Sequence, residues 1–251
     1  MPIPVRDRQQ VIGAAPQGSS DERSAALAVR EMFDEIAPRY DLLNHVLSMN
    51  IDRLWWWRTA RAFRSILLRS GARSLDLCCG TGDMAVALRR QASGVEIVGA
   101  DFSRGMLTRG LQKFQRERVE AVETDALHLP FPDETFDLVV SAFGFRNLAN
   151  YDAGLREIYR VLRPGGEVGI LDFSEPGGLL GKFYRFYFRN ILPKIGTMIS
   201  GVSGPYSYLP ASVSRFPSPD ELLGRMKVAG YRQAEWRAYT FGIAGLYRAA
   251  K

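Results

Sequence analysis

Apolar residues recur at helical spacing in the first part of the chain and collect into short, strand-length runs from residue 73 onward. Leu27, Val29, Met32, Phe33 and Ile36 mark a helix over 24–36, which Pro38 stops. Segments 40–47 and 52–68 predict two more helices, the second with Asp52 as N-cap. Strands are then predicted at 74–78, 95–100, 119–123, 136–143 and 167–173, with helices at 83–91, 104–114 and 151–162 between them. Arg163-Pro164-Gly165-Gly166 reads as the turn before the last strand of that series. A helix at 219–229 and strands at 232–239 and 243–249 follow. Alternating strands and helices predict an α/β fold, with a doubly wound, mostly parallel sheet covered by helices on both faces.

The rest of the chain fits around that unit. Residues 1–22 are polar, with Gly and Pro but no hydrophobic stretch, and read as a disordered tail. Residues 23–251 read as a single domain, with 23–70 forming an N-terminal helical lid and 176–217 an irregular, aromatic-rich insert on the substrate side. No apolar run approaches the ~18 residues needed to cross a bilayer. The cysteines, Cys78 and Cys79, are adjacent and cannot close a loop, which points to a reducing, cytoplasmic compartment. Two neighbouring thiols and the distant His45 and His128 make no metal site, so none is expected.

Charge adds a surface to this picture. The net charge is +6, and no acid lies between Glu175 and Asp220, where Lys182, Arg185, Arg189, Lys194 and Arg215 occur. A second stretch carries Arg53, Arg58, Arg61, Arg64, Arg69 and Arg73 against the single acid Asp52. Both are rich in aromatics, which suits a surface facing something negative or interfacial. Segment 179–189, with aromatic bulk interleaved with cations, has the character of an interfacial helix. An ordinary helix covering the sheet fits it as well.

The candidate chemistry lies in Leu75-Asp76-Leu77-Cys78-Cys79-Gly80-Thr81-Gly82-Asp83, a strand running into a glycine turn and a helix. Without side chains, Gly80 and Gly82 let backbone N–H groups approach a ligand at the positive end of a helix. Asp101 ends the next strand, where an acid can accept hydrogen bonds from both ribose hydroxyls. Gly80-x-Gly82-x-x-Ala85 also fits a dinucleotide fingerprint, so the loop alone leaves a nicotinamide dehydrogenase open.

Later motifs separate the two readings. Asp125-Ala126, Leu129-Pro130-Phe131-Pro132-Asp133 and the turn at 161–166 resemble the corresponding series of class I methyltransferases. Phe33-Asp34-Glu35-Ile36-Ala37-Pro38-Arg39-Tyr40-Asp41, Phe143-Gly144-Phe145-Arg146-Asn147, Leu171-Asp172-Phe173-Ser174-Glu175-Pro176 and Tyr206-Ser207-Tyr208-Leu209 resemble the menaquinone and ubiquinone biosynthesis C-methyltransferases. That resemblance implies a Rossmann-like, seven-stranded methyltransferase fold and S-adenosylmethionine as methyl donor. It implies Tyr40, Asp76, Gly80, Thr81, Gly82, Asp101, Asp125 and Ala126 as cofactor-binding residues. It further implies methyl transfer to a ring carbon of a prenylated hydroquinone, and Cys78-Cys79 tilts the acceptor towards demethylmenaquinol rather than the ubiquinone precursor. Ala142 departs from the serine common in the family, and neither it nor Ser141 is assigned a role.

Arg146 and Asn147 are expected to be catalytic, with Arg146 stabilising a developing quinolate directly or through water and Asn147 orienting the hydroxyl. Arg146 cannot accept a proton, since a guanidinium stays protonated in proteins and has no acceptor atom. A helix-capping pair is the bland alternative. His128 is expected to be solvent-exposed or packed, and His45 to lie on a helix surface or to border the substrate. Partners expected are the hydroquinone and the inner face of the cell membrane, touched peripherally; no nucleic acid is expected, and a homodimer stays open. Methylation of another lipid or phenol, and a retained scaffold that binds RNA, are the competing functions.

Overall fold

The computed structural model describes residues 12–16, 18–39, 50–176, 181 and 204–251. Its seven strands are β1 Arg73–Leu77, β2 Glu96–Asp101, β3 Val119–Glu123, β4 Phe136–Ala142, β5 Leu162–Phe173, β6 Arg232–Tyr239 and β7 Ala244–Ala250. They lie in the order β3-β2-β1-β4-β5-β7-β6. The first five strands pair in parallel, and β7 runs antiparallel to both its neighbours. The strand order reverses between β1 and β4, so the crevice at the carboxyl ends of these two strands is where an open α/β sheet binds ligands.

The described helices are α1 Glu22–Ile36, α2 Ile51–Ala62, α3 Arg64–Leu67, α4 Asp83–Gln91, α5 Arg104–Glu117, α6 Tyr151–Val161, α7 Gly204–Arg215 and α8 Pro219–Val228. α6 shows how local sequence sets them. The Asn150 side chain accepts the Ala153 N–H at 2.9 Å and starts the helix. Tyr151, Leu155, Ile158 and Val161 then form one buried stripe. They pack with Phe136, Val139, Leu222, Met226 and Tyr247 on one side of the sheet. Trp55, Phe63, Leu88 and Phe114 lead the core on the other side. Strands buried on both faces explain why β4 carries the consecutive apolar residues Leu138-Val139-Val140. Truncating a side chain such as Leu155 to alanine costs about 2–5 kcal/mol.

Several expectations need correction. Asp52 does not cap α2: Asn50, at φ 60°, holds that position, and Asp52 is buried with its Oδ1 accepting the Arg53 N–H at 2.8 Å. The 52–68 segment is not one helix, because it breaks at the fully buried Phe63. Arg163-Pro164-Gly165-Gly166 lies within β5, whose pairing slips from Phe136↔Leu162 to Leu138↔Glu167. Part of the expected tail is docked: the Ala14 N–H donates to the Leu148 carbonyl at 2.8 Å, and Arg215 donates to the Ala15 carbonyl. A Cβ on Gly13 would stand 2.0 Å from that Leu148 oxygen, so glycine is what permits the approach. The insert carries α7, where only irregular chain was expected. The helix expected at 40–47 and, apart from residue 181, the interfacial segment at 179–189 lie outside the described residues.

Candidate active site

β1 delivers the chain into the turn that opens the site. Cys78, Gly80 and Gly82 all have positive φ, at 56°, 55° and 91°. The Gly80 N–H donates to Asp101 Oδ2 at 2.8 Å, and the Ser103 N–H donates to Asp101 Oδ1 at the same distance. Burial pushes the Asp101 carboxyl up, while the amides of Ser103, Gly80 and Phe102 pull it back. Both carboxylate oxygens are therefore held in fixed directions at the carboxyl end of β2.

α1 closes one wall through a polar anchor. Asp34 accepts the Ser103 hydroxyl at 2.6 Å and the Gly105 N–H at 2.9 Å, which ties the lid helix to the positive N-terminal end of α5. Arg30, from the same helix, pairs with Glu123 at 2.6 Å and stands over the Phe102 ring at 5.1 Å. The enclosed cleft, about 780 Å³ including its open mouth, is lined by Val29, Phe33, Cys78, Gly80, Asp101, Asp125, Ala126, Phe143 and Asn147 among others.

The expected site residues divide into three groups. Gly80, Asp101, Asp125, Ala126 and Asn147 meet at this cleft. Thr81, Gly82, Asp76 and Arg146 do not line it. The Thr81 hydroxyl is buried and accepts from Lys113 Nζ at 3.0 Å, and a Cβ on Gly82 would lie 2.4 Å from the Phe114 ring. Gly82 thus serves the αL start of α4 and the packing of α5 rather than an open approach to ligand. Asp76 is fully buried beneath the loop with neither oxygen in a hydrogen bond of normal geometry. Burial holds its carboxyl well above the usual range, with the Ala85 N–H the main opposing influence. Tyr40 and His45 lie outside the described residues.

Arg146 is turned away from the expected contact. Its Nη1 donates to Asp172 at 3.1 Å and to the Phe143 carbonyl, and its backbone N–H donates to the other Asp172 oxygen at 3.0 Å. The guanidinium carbon stands 5.3 Å from the centre of the Phe173 ring. Asp172 is wholly buried, and burial raises its carboxyl against the pull of Arg146. Asn147, next in the same 3-10 turn, reaches the cleft and accepts the Tyr208 hydroxyl on Oδ1 at 3.1 Å. Burial pushes the Tyr208 phenol up to about 12.

Asp34, Ser103, Asp172 and Tyr208 are the site residues that sequence reasoning did not assign. Asp172 had a signal, since it is an acid interrupting an apolar strand near its carboxyl end, as Asp76 and Asp101 do. Tyr208 stood in the Tyr206-Ser207-Tyr208-Leu209 motif, but its partner, 61 residues away, was not readable from it. Phe143, which lines the cleft, is backed by an aromatic cluster: its ring centre is 4.6 Å from that of Phe173, and Trp55 is 5.7 and 6.1 Å from the two. Cys78 lines the cleft, but burial holds both thiols well above their ordinary range, so they are un-ionised and poor nucleophiles. His128 is on the surface, its side chain 84% exposed. Among the described residues no group of three potential ligands could hold a metal ion.

A Demethylmenaquinone methyltransferase of Deinococcus radiodurans is 49% identical over 230 residues, covering 90% of this chain and 94% of its own. A Ubiquinone/menaquinone biosynthesis C-methyltransferase UbiE of Geobacter sulfurreducens is 45% identical over 231 residues, covering 89% and 88%. A solved methyltransferase from Thermotoga maritima, S-adenosylmethionine-dependent and described as a possible histamine N-methyltransferase, superposes with a TM-score of 0.62. It is 20% identical, covers 88% of this chain and 99% of its own, and supports the fold alone. The family model for the ubiE/COQ5 methyltransferase family matches residues 17–251. On that match, and on relatives near half identity, the chain belongs to the ubiE/COQ5 methyltransferase family.

Proposed function

We propose that this enzyme methylates a ring carbon of a prenylated hydroquinone, with demethylmenaquinol as acceptor, in peripheral contact with the inner face of the cell membrane. It is an S-adenosylmethionine-dependent C-methyltransferase of quinone biosynthesis. The observation that carries the acceptor reading is the shared cleft at the carboxyl ends of β1 and β4. It holds the oriented Asp101 carboxylate and the Asn147 amide in one cavity, beside Phe143, which Trp55 and Phe173 back.

The residues present fit the methyl donor. Asp101 suits a ribose, and Asp125 and Ala126, which line the same cleft, sit where adenine would be met. When bound, S-adenosylmethionine supplies an electrophilic methyl on a positive sulfonium. The protein's own work is then to align a ring carbon and to favour electron density there. Because Asn147 Oδ1 is taken by Tyr208, its amide N–H groups are left to face a ring oxygen and stabilise it as the phenol gives up its proton. Arg146, clamped by Asp172, holds the turn that presents Asn147 and so acts as a positioning residue.

The test is incubation with methyl-labelled S-adenosylmethionine and either reduced demethylmenaquinone or the ubiquinone precursor. Label entering the ring of the first in clear preference is expected. Label only in the second, or in neither, sinks the menaquinol assignment.

A further inference from the structure

The outward stripe of α2 makes a patch that nothing in the described chain covers. Leu54, Trp57, Arg58 and Arg61 fall at i, i+3, i+4 and i+7, one face of a helix, while Trp55, Trp56, Thr59 and Ala60 are buried on the other. Leu54 and Trp57 stay 49% and 46% exposed. The Arg61 guanidinium lies 5.5 Å from the centre of the Trp57 ring, and that of Arg58 lies 4.3 Å from the centre of the Tyr239 ring. Arg237, on β6, completes a groove with these side chains. Among the described residues, no acid forms an ion pair with any of the three arginines.

Next to this groove, the turn after β6 leaves Phe241 83% exposed. Its φ is 57°, a region that bulky residues avoid, so backbone strain is accepted to present an aromatic to solvent. The turn is fixed from below by the Trp55 Nε1–H, which donates to the Thr240 hydroxyl at 2.8 Å.

We infer that the outer face of α2, with Arg237 and Phe241, is the surface that seats the enzyme on an anionic bilayer. The inference rests on the reading of the acceptor as a membrane-held hydroquinone. Three uncompensated guanidiniums match phosphate oxygens, and Trp57, Leu54 and Phe241 match the headgroup–acyl boundary. Single-stranded nucleic acid fits less well. It would need free aromatic faces for base stacking, yet Arg61 and Arg58 already stand over the rings of Trp57 and Tyr239. Position agrees with function too: the buried face of the same helix supplies Trp55, which packs behind the cleft-lining Phe143.

The test is flotation of the full chain with phosphatidylcholine vesicles and with vesicles that also contain phosphatidylglycerol. The wild type is expected to float with the anionic vesicles and to be released by high salt. Arg61→Ala with Arg237→Ala should lower the partition about 25-fold, at about fivefold per arginine, and Phe241→Ser should lower it further. Arg109→Ala, on exposed surface of α5, should leave it unchanged. Thermal melting of each variant separates loss of the surface from loss of the fold. If the double variant floats as well as the wild type while folded, the surface is assigned wrongly. A wild type that methylates the hydroquinone in detergent yet floats with neither vesicle overturns the docking surface and leaves the catalytic reading standing. Vesicle binding lost in the double variant supports the surface even if no quinol is turned over. Tighter binding to a single-stranded RNA, abolished by the same pair, overturns the lipid assignment.

Discussion

The Tyr208 hydroxyl donates to Asn147 Oδ1 at 3.1 Å and joins α7 to the 3-10 turn that follows β4. This bond decides which end of the amide faces the cleft. With Oδ1 occupied, Asn147 offers donors, the polarity that favours a developing phenolate. Since burial raises the Tyr208 phenol to about 12, it stays protonated and donating throughout the neutral range.

Tyr208→Phe is therefore expected to lower kcat about 3- to 10-fold, the worth of one neutral hydrogen bond, with KM for S-adenosylmethionine unchanged. Asn147→Ala should cost about 10²-fold in kcat, as loss of an oxyanion donor does. Asn147→Asp should be at least as damaging, because it replaces a donor with a negative charge. Steady-state kinetics against both substrates decide the matter. A parallel rise in KM for the methyl donor in Tyr208→Phe would show that the tyrosine shapes the cofactor site instead.

Asp101 gives a pH signature with a definite sign. Its folded carboxyl lies above the ordinary 3.8, with burial as the leading cause, and ribose hydroxyls need it ionised as an acceptor. Protonation competes with the ligand, so affinity for S-adenosylmethionine should begin to fall at a pH above that of an ordinary aspartate as the solution is acidified. Asp101→Asn should weaken binding about 10- to 100-fold and remove this pH dependence. Calorimetric titrations across an acid series would check both halves.

Gly82 and Phe114 are predicted to couple through packing. A methyl on Gly82 enters the Phe114 ring at 2.4 Å, and φ at 91° disfavours any side chain there. Gly82→Ala should lower stability by about 1–3 kcal/mol. Phe114→Leu should relieve part of that loss in the double variant, although it costs stability alone. Urea unfolding of the four proteins gives the interaction energy, and strict additivity would mean that the clash is absorbed elsewhere.

Features set by local pattern were readable in the sequence, and those set by distant partners were not. The parallel sheet could be read because strands buried on two faces need unbroken apolar runs, as in Leu138-Val139-Val140. Gly80 and Asp101 could be read because a strand, a glycine turn and an acid at the next strand end recur together. The duties of Thr81 and Gly82 could not, since Lys113 and Phe114 belong to a helix some thirty residues on. Arg146 was misdirected for the same reason: its spacing puts it at the carboxyl edge, but only the folded chain shows Asp172 already there to receive it. Likewise, composition marked the basic aromatic stretch at 53–73, while α2 decides which of its residues face outward.

Arg146 and Asp172 make the last prediction, in which stability and catalysis must be pulled apart. Arg146→Ala strands a fully buried carboxylate, which costs about 3–5 kcal/mol. Without the guanidinium, the carboxyl already raised by burial should rise further. A carboxyl whose folded pKa exceeds its unfolded value adds stability at low pH and loses it as pH rises. Acidification should therefore stabilise Arg146→Ala relative to the wild type, as urea unfolding at two pH values would show. Replacing both members by apolar residues, Arg146→Met with Asp172→Leu, should restore most of the stability, because no buried charge remains. Turnover in that folded double variant is the decisive reading. If Arg146 positions Asn147, kcat should stay reduced by at least tenfold with KM for S-adenosylmethionine near the wild-type value. Turnover within a few-fold of wild type would instead leave the ion pair a purely structural part of the β4–β5 edge.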